Sequence, residues 1–416
     1  MTRSRLVLLT NEYPFARGDA AFLETEVPHL ASAFDDVVVF NYPQPGDEEL
    51  VAMPPGVRYG GSVKGGSRRR ALGHLAVPSV ASRLLGMLVR EWRAGRLRGR
   101  WRTETMAALA SIKRGRDARL RAALREPGWR TTVYAYWAAG AGLAVAGLPR
   151  SSGPVALRLH RYDLYEEEQR SGQPLRASLM NRADVVLAIS EHGRDYLLEH
   201  YPEHVDSSWI ELSRLGTADH GVQPQRVAGG PLVVVSCSSL TPVKRTTLIL
   251  DAVHALSRSR PVRWVHLGGG PLEHDLRERA SAVADAGLEV ELRGQMSHDE
   301  VIDFFRSTSV DVFVNASASE GVPVSIMEAL SFDVPVVATD VGGTGEIVGE
   351  AHASGILVAA DVEPSELAAS IERAFLERER FAPRETWRRL SDADENGRRT
   401  AQVVAHLTPR RKGQAT

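Results

Sequence analysis

The chain has 416 residues and balances 51 Lys and Arg against 52 Asp and Glu. That length predicts two or three domains, and the neutral total excludes a dedicated nucleic-acid binder, whose basic footprint shows in the sum. Its single cysteine, Cys237, excludes an internal disulfide framework and a Cys-based structural zinc site.

In chain order, Arg5–Leu9 reads as a strand, Ala21–Phe34 as an amphipathic helix and Val37–Phe40 as a second strand. The Leu6–Leu9 run is too short for a signal peptide. Residues 42–66 are rich in Pro and Gly and read as loop. From Arg68 to Arg125 the pattern is helical and dense in arginine. Strands resume at Thr132–Tyr136, Val155–Leu159 and Val185–Ile189. Gly216–Pro231 reads as a linker, and a second βαβ series opens at Leu232–Ser236. It continues with strands at Trp264–Gly268, Val290–Arg293, Val312–Asn315 and Val336–Thr339, with helices at Thr247–Ser257, Leu272–Ala286 and Ile326–Leu330 between them. The tail, Pro383–Leu407, is helical with no strand to pair with. The expectation is an α/β protein of two Rossmann-like parallel-sheet domains, 1–220 and 228–384, facing a central cleft. A helix over 385–410 is expected to pack across the domain junction, back on the first domain. No run of about 18 apolar residues occurs, so no transmembrane helix is expected and the chain reads as cytoplasmic.

The most informative stretch is Asn315–Ala316–Ser317–Ala318–Ser319–Glu320–Gly321–Val322–Pro323–Val324–Ser325–Ile326–Met327–Glu328. A strand ends, a small-residue loop carries Glu320 and Gly321, and a helix begins near Ser325. A helix N-terminus suits a diphosphate, because its N–H groups are unpaired and its dipole is positive there. Two carboxylates eight residues apart can grip different hydroxyls of one extended ligand. Ser325 and Glu328 also fit a capping box, in which Glu328 is structural. The spacing alone leaves both readings open.

This segment, with Val334–Gly343 and Glu346 after it, resembles the E-x7-E region of retaining glycosyltransferases of the GT-B fold, family 4. Ser236–Leu240 with Pro242 and Lys244, Gly268–Pro271 and Gly294–Gln295 follow the same family in order. The resemblance implies transfer of a sugar from a nucleoside-diphosphate sugar to a hydroxyl acceptor, a glycan or lipid-linked molecule, without a metal or other cofactor. It implies that Lys244 meets the donor diphosphate, that Glu320, Gly321, Val322, Pro323 and Val324 hold the donor sugar, and that Glu328 binds the ribose. Gln295 falls on the same donor side. The family often has Gly-Arg where this chain has Ser238–Ser239. With Ser239 in place of that arginine, Arg245 is the available substitute cation.

The first half resembles the family more loosely. Asn11 and Gly18 follow the first strand, Tyr136–Trp137 ends a later one, and His160–Arg161–Tyr162–Asp163 ends another. A strand-end histidine is commonly a hydrogen-bonded structural residue. The resemblance puts the active-site histidine at His160, with Asn11, Gly18, Tyr136, Trp137 and Asp163 on the acceptor side.

Other signals carry less. Asp392–Ala393–Asp394 is a D-x-D in a polar helical tail and reads as solvated surface. Gly268–Gly270 and Gly343–Gly345 do not complete a dinucleotide fingerprint, which counts against the alternative of a nicotinamide-dependent oxidoreductase. A further alternative is a catalytically degenerate homologue acting as a binding partner, favoured by Ser239. No histidine cluster or H-E-x-x-H implies a metal, and Cys237 reads as a small core residue. The arginines between Arg90 and Arg121, interleaved with Trp92 and Trp101, suit peripheral contact with an anionic membrane at its inner face.

Overall fold

The computed structural model describes residues 3–15, 18–42, 50–63, 78–169, 172–226, 228–283 and 287–410. The start of the arginine-rich helical reading (68–77) and the end of the Leu272–Ala286 helix (284–286) lie outside them, as do parts of the 42–66 loop and of the 216–231 linker. The chain forms two compact units, 1–214 with 394–416, and 215–393.

The first unit holds a seven-stranded sheet in the order β3-β2-β1-β4-β5-β6-β7. Its strands are β1 (Arg3–Thr10), β2 (Asp36–Asn41), β3 (Val57–Ser62), β4 (Trp129–Ala135), β5 (Val155–Leu159), β6 (Val185–Ala188) and β7 (Ile210–Leu212), all paired in parallel. Both faces of such a sheet are covered, so β1 carries the unbroken apolar run Leu6–Leu9 and β5 is buried along its whole length, with Arg158 its one charged residue. One face is closed by α1 (Ala20–Ala33) and by α14 (Ala393–Ala405), with Leu23, Val27, Leu30, Ala401 and Val404 in one buried cluster. The other face is closed by α2 (Pro78–Arg93), α3 (Trp101–Gly115), α4 (Ala118–Arg125), α5 (Arg161–Leu164), α6 (Arg176–Arg182) and α7 (Glu191–His200). Within the described residues the arginine-rich stretch is thus three helices rather than one. Gly95 and Gly99, at φ +71° and +74°, stand between the first two.

The second unit holds a six-stranded parallel sheet in the order β10-β9-β8-β11-β12-β13. Its elements are β8 (Leu232–Cys237), α8 (Thr246–Ser257), β9 (Val262–Leu267), α9 (Glu273–Val283), β10 (Leu288–Leu292), α10 (His298–Ser307), β11 (Val312–Asn315), α11 (Val324–Ser331), β12 (Val336–Thr339), β13 (Gly355–Val358), α12 (Pro364–Leu376) and α13 (Pro383–Leu390). The expected linker is not loose. Trp387, fully buried on α13, donates its indole N–H to Thr217 Oγ1 at 2.9 Å, and Arg384 grips the Asp219 carboxylate at 2.6 and 2.7 Å. The tail therefore divides, with α13 packed in the second unit and all of α14 beyond its first residue in the first.

In both sheets the strand order reverses beside the first strand of the unit, between β1 and β4 and between β8 and β11. Loops leaving the C-terminal ends of those strands diverge to opposite faces, and the crevice between them is where open α/β sheets take ligands. Among the described residues no helix is long and apolar enough to cross a membrane.

Candidate active site

In the second unit the crevice is built from the loops after β8, β11 and β12. The loop after β11 is fixed on both sides. Ala318 N–H donates to the Val243 carbonyl at 2.8 Å, Thr339 Oγ1 to the Ser317 carbonyl at 2.6 Å, and Gly343 N–H to the Gly321 carbonyl at 2.7 Å. These bonds satisfy the polar backbone of a buried loop and present Glu320 at the start of α11. Lys244 Nζ lies 2.6 Å from Glu320 Oε1, and Asn315 Nδ2 donates to the same oxygen at 3.4 Å. Helix α11 begins at Val324 with Pro323 as its N-cap and no side-chain cap bond.

That start corrects the capping-box reading. Ser325 is inside the first turn, so Glu328 is one turn too far along to cap it. The buried Glu328 carboxylate instead meets His298 Nδ1 of α10 at 3.3 Å. Glu320 and Glu328 thus sit on the loop and in the second helical turn. Gly321, Val322 and Pro323 are buried between them, and Val324 is half-buried at the helix start.

Arg245 does not stand in for the missing diphosphate cation. It adopts a left-handed backbone at φ +46°, and its guanidinium donates to the carbonyls of Ala316 at 2.6 Å, Ala360 at 2.6 Å and Ser317 at 3.1 Å. Its positive charge holds the β11 loop in place. Ser239 is exposed, and Gln295 is exposed with its amide donating to the Met296 carbonyl at 3.3 Å.

The glycine triple is a packing device. A Cβ on Gly268, at φ +126°, would lie 2.1 Å from the Ser238 carbonyl oxygen, and one on Gly270 2.7 Å from the Leu240 nitrogen, so glycine here lets the β8 and β9 ends approach closely. Cys237 is half-buried, and burial pushes its thiol up to about 12, which removes the thiolate needed for nucleophilic work. Among the described residues no group of three or more His, Cys, Asp or Glu could hold a metal.

In the first unit the corresponding crevice lies after β1, β4 and β5. His160 is 5% exposed, its ring packed at a tilt against Trp137, 4.0 Å between centroids and 31° between planes, and next to Tyr136 at 4.9 Å. Neither ring nitrogen of His160 has a hydrogen-bond partner in the protein, nor do the Tyr136 hydroxyl and Asn11 Oδ1, though all four atoms are buried. A structural histidine would be bonded. Leaving one buried polar atom unpaired costs about 1–3 kcal/mol, so four together single this crevice out from the rest of the unit. Burial, with Arg158 nearby, pushes the His160 imidazole well below its ordinary range, so it stays neutral near pH 7 and offers one donor and one acceptor.

Two residues that the sequence reading passed over organise this crevice. Asp19 accepts the N–H groups of Asn11, Glu12 and Tyr13 at 2.9, 3.0 and 2.5 Å and the Trp137 indole N–H at 3.0 Å, so it sets the indole against which His160 packs. As the residue before α1 it reads in sequence as an ordinary N-cap. Arg158, fully buried, is ion-paired with Glu26 and donates to Tyr134 Oη at 3.0 Å and to the Ser213 carbonyl and hydroxyl, both at 2.8 Å. An arginine within an apolar strand gives a sequence-level signal: a buried charge must find a partner.

Gly18, at φ +55°, turns the chain into α1, and a Cβ there would overlap the Glu12 carboxylate. Asp163 is corrected from the acceptor side. Its buried carboxylate accepts the N–H groups of Ala138 at 2.5 Å and His160 at 2.7 Å, which ties the β4 and β5 ends together. It positions His160 and presents nothing to a ligand. The second carboxylate of the D-x-D lies at the surface as expected: Asp394 is exposed and meets His29 Nε2 at 3.1 Å.

Comparison with known proteins agrees with this geometry. Residues 222–395 match the family model described as Glycosyl transferases group 1. The chain is 28% identical over 227 residues to the putative teichuronic acid biosynthesis glycosyltransferase TuaC of Bacillus subtilis, covering 52% of this chain and 55% of that one. It is 32% identical over 193 residues to the lipopolysaccharide core biosynthesis mannosyltransferase LpsB of Rhizobium meliloti, covering 44% and 53%. The chain thus spans about half the length of these curated relatives. Over 97% of its length it superposes on Anabaena HepE in complex with UDP, covering 100% of that chain, with a TM-score of 0.64 at 16% identity. The sucrose-phosphate synthase of Thermosynechococcus elongatus gives 0.65 at 16%, covering 97% and 99%. The fold is that of GT-B glycosyltransferases.

Proposed function

We propose that this chain is a retaining glycosyltransferase that moves a sugar from a nucleoside-diphosphate sugar to a hydroxyl of a glycan or lipid-linked acceptor. The observation that carries the proposal is the Lys244–Glu320 pair beside the first turn of α11. A diphosphate entering there offers Lys244 a second anion and reaches the unpaired N–H groups of the helix start. Glu320 then turns to the donor sugar, whose hydroxyls give it the hydrogen bonds it gives up.

Lys244 and the α11 N-terminus oppose the charge that grows on the leaving diphosphate, and they are already in place when it grows. In the first unit, taken by itself, the neutral His160 packed against Trp137 offers hydrogen bonds to a hydroxyl group, with Tyr136 and Asn11 beside it. Glu328 accepts from the ribose hydroxyls. The family resemblance supports front-face displacement, in which the leaving diphosphate receives the acceptor proton and the anomeric configuration is kept. Nothing in these roles calls for a metal.

The relatives' names support an acceptor that belongs to a bacterial surface polysaccharide or lipopolysaccharide. A membrane-facing surface fits it. Arg93, Arg98 and Arg102 are exposed beside Trp92 and Trp101, which are 67% and 59% exposed. This is narrower than the stretch read from sequence, because Arg96 and Arg100 point inward to Glu166 at 2.8 and 3.3 Å. Incubating the protein with nucleoside-diphosphate sugars and following nucleotide release tests the reading, since even slow donor hydrolysis separates an enzyme from a degenerate binder.

A further inference from the structure

Away from the crevice, the first unit holds a cavity of about 400 Å³ between α2, the connection from β4 to β5, and the end of α6. Four arginines line it: Arg83 and Arg90 from α2, Arg150 from the connection and Arg182 from α6. It lies before the first residues of β5 and β6, whereas His160 follows the last residue of β5. A five-residue strand, about 17 Å, separates the two.

The charge around this cavity is not balanced. Asp184 serves Arg150 and Arg182, each at 3.4 Å, and also accepts the Arg410 and Val155 backbone N–H groups at 2.8 and 2.9 Å. Arg182 is held further by the carbonyls of Leu148, Pro149 and Gly153. Glu91, next to Arg90 in sequence, turns its carboxylate to Arg96 and to the Ala177 and Ser178 N–H groups. Arg83 and Arg90 are half-buried, and among the described residues neither has a carboxylate in ion-pair range. Burial pushes both guanidinium groups down; for Arg90 the Glu91 charge opposes this and Arg150 adds to it, and for Arg83 the neighbouring Arg116, Arg125 and Arg121 add to it. Ser178 also lines the cavity. It is 1% exposed, and its hydroxyl has no hydrogen-bond partner.

Half-buried guanidinium groups with no carboxylate in ion-pair range among the described residues, beside an unpaired buried hydroxyl, favour an anion with several oxygens. Guanidinium forks match a phosphoryl group, whose oxygens can accept from two arginines and a hydroxyl together. We propose that this cavity is a second, non-catalytic site for a phosphoryl group, gripped by Arg83, Arg90 and the Ser178 hydroxyl. The phosphoryl group can come from a soluble molecule or from a lipid headgroup, since α2 also exposes Leu85 and Trp92. The site does not rest on the sugar-transfer reading, because none of its residues belongs to that crevice.

The test uses the full chain with UDP saturating, so that any diphosphate site at Lys244 is filled. One arm titrates pyrophosphate calorimetrically. The other sediments the protein with vesicles of phosphatidylglycerol in phosphatidylcholine. The parent should bind in at least one arm, which identifies the source. In that arm the double substitution Arg83→Gln, Arg90→Gln should weaken binding at least tenfold, and Ser178→Ala should weaken it several-fold, with UDP affinity and melting temperature unchanged. Among the described residues Arg83 and Arg90 have no carboxylate in ion-pair range, so their replacement breaks no ion pair among them. A parent that binds in neither arm, or variants that bind like the parent, would overturn the proposal.

Discussion

Lys244 and Glu320 neutralise one another across 2.6 Å, 76 residues apart in sequence, at the point where α11 begins. The pair is largely enclosed, with side-chain exposures of 21% and 8%. Removing one partner of a buried pair costs more than the pair itself contributes, on the order of 3 kcal/mol when one side keeps some water. Lys244→Ala should therefore lower the melting temperature and also weaken nucleoside-diphosphate binding at least tenfold. A variant that melts lower yet binds UDP like the parent would mean that Lys244 only balances Glu320.

Glu320→Gln should behave in the opposite way. It frees Lys244 for the diphosphate, so affinity for UDP should hold or rise by about threefold, while sugar transfer falls by about 10²-fold or more for loss of a charge-assisted hydroxyl contact. A parallel loss of UDP affinity would show that Glu320 touches the nucleotide rather than the sugar.

His266 predicts an acid limit to the stability of the second unit. It is fully buried as a bonded ring, with Ser236 Oγ at 2.8 Å from Nδ1 and the Ser238 carbonyl at 3.1 Å from Nε2, and burial lowers its pKa to about 4. Below about pH 6.5 the unfolded chain binds a proton that the folded chain refuses, so stability is full above that pH. It falls by about 1.4 kcal/mol per pH unit down to about pH 4. His266→Asn should be less stable than the parent at pH 7 but should lose less on going to pH 5. Equal losses in denaturant melts at the two pH values would remove His266 as the cause.

The exposed basic face gives a separate expectation. Replacing Arg93, Arg98 and Arg102 by Gln should weaken sedimentation with anionic vesicles, each cation contributing about 1 kcal/mol near the surface, and should leave donor hydrolysis intact. Replacing Arg96 or Arg100 should instead lower the melting temperature, because each is bound to the Glu166 carboxylate and to the Gln173 carbonyl. Unchanged vesicle binding at low salt would reduce the face to ordinary solvated surface.

The strands that carry the site were legible because parallel strands buried on both faces are short apolar runs. Val312–Asn315 and Val336–Thr339 stand as read. The strand Val57–Ser62 was hidden because Arg58, Gly60 and Gly61 break its apolar run. The Glu320 loop could be read because its residues are consecutive. Asp163 and Arg245 were misjudged because each is spent on backbone groups brought near only by folding. Asp19 was passed over for the same reason, since its role is to gather three amide groups and the Trp137 indole.

Calorimetric titration of UDP and the other common nucleoside diphosphates into the parent and Glu328→Ala, without metal, tests the central claim most directly. Glu328 caps nothing but meets His298, so the melting temperature of the variant is read beside its affinity to separate that contact from ribose recognition. The parent should bind at least one of these ligands, and Glu328→Ala should bind it about 10- to 150-fold more weakly, as loss of hydrogen bonds worth roughly 1.5–3 kcal/mol requires. A folded parent that binds none of them, or a Glu328→Ala variant that binds as tightly as the parent, would contradict the account.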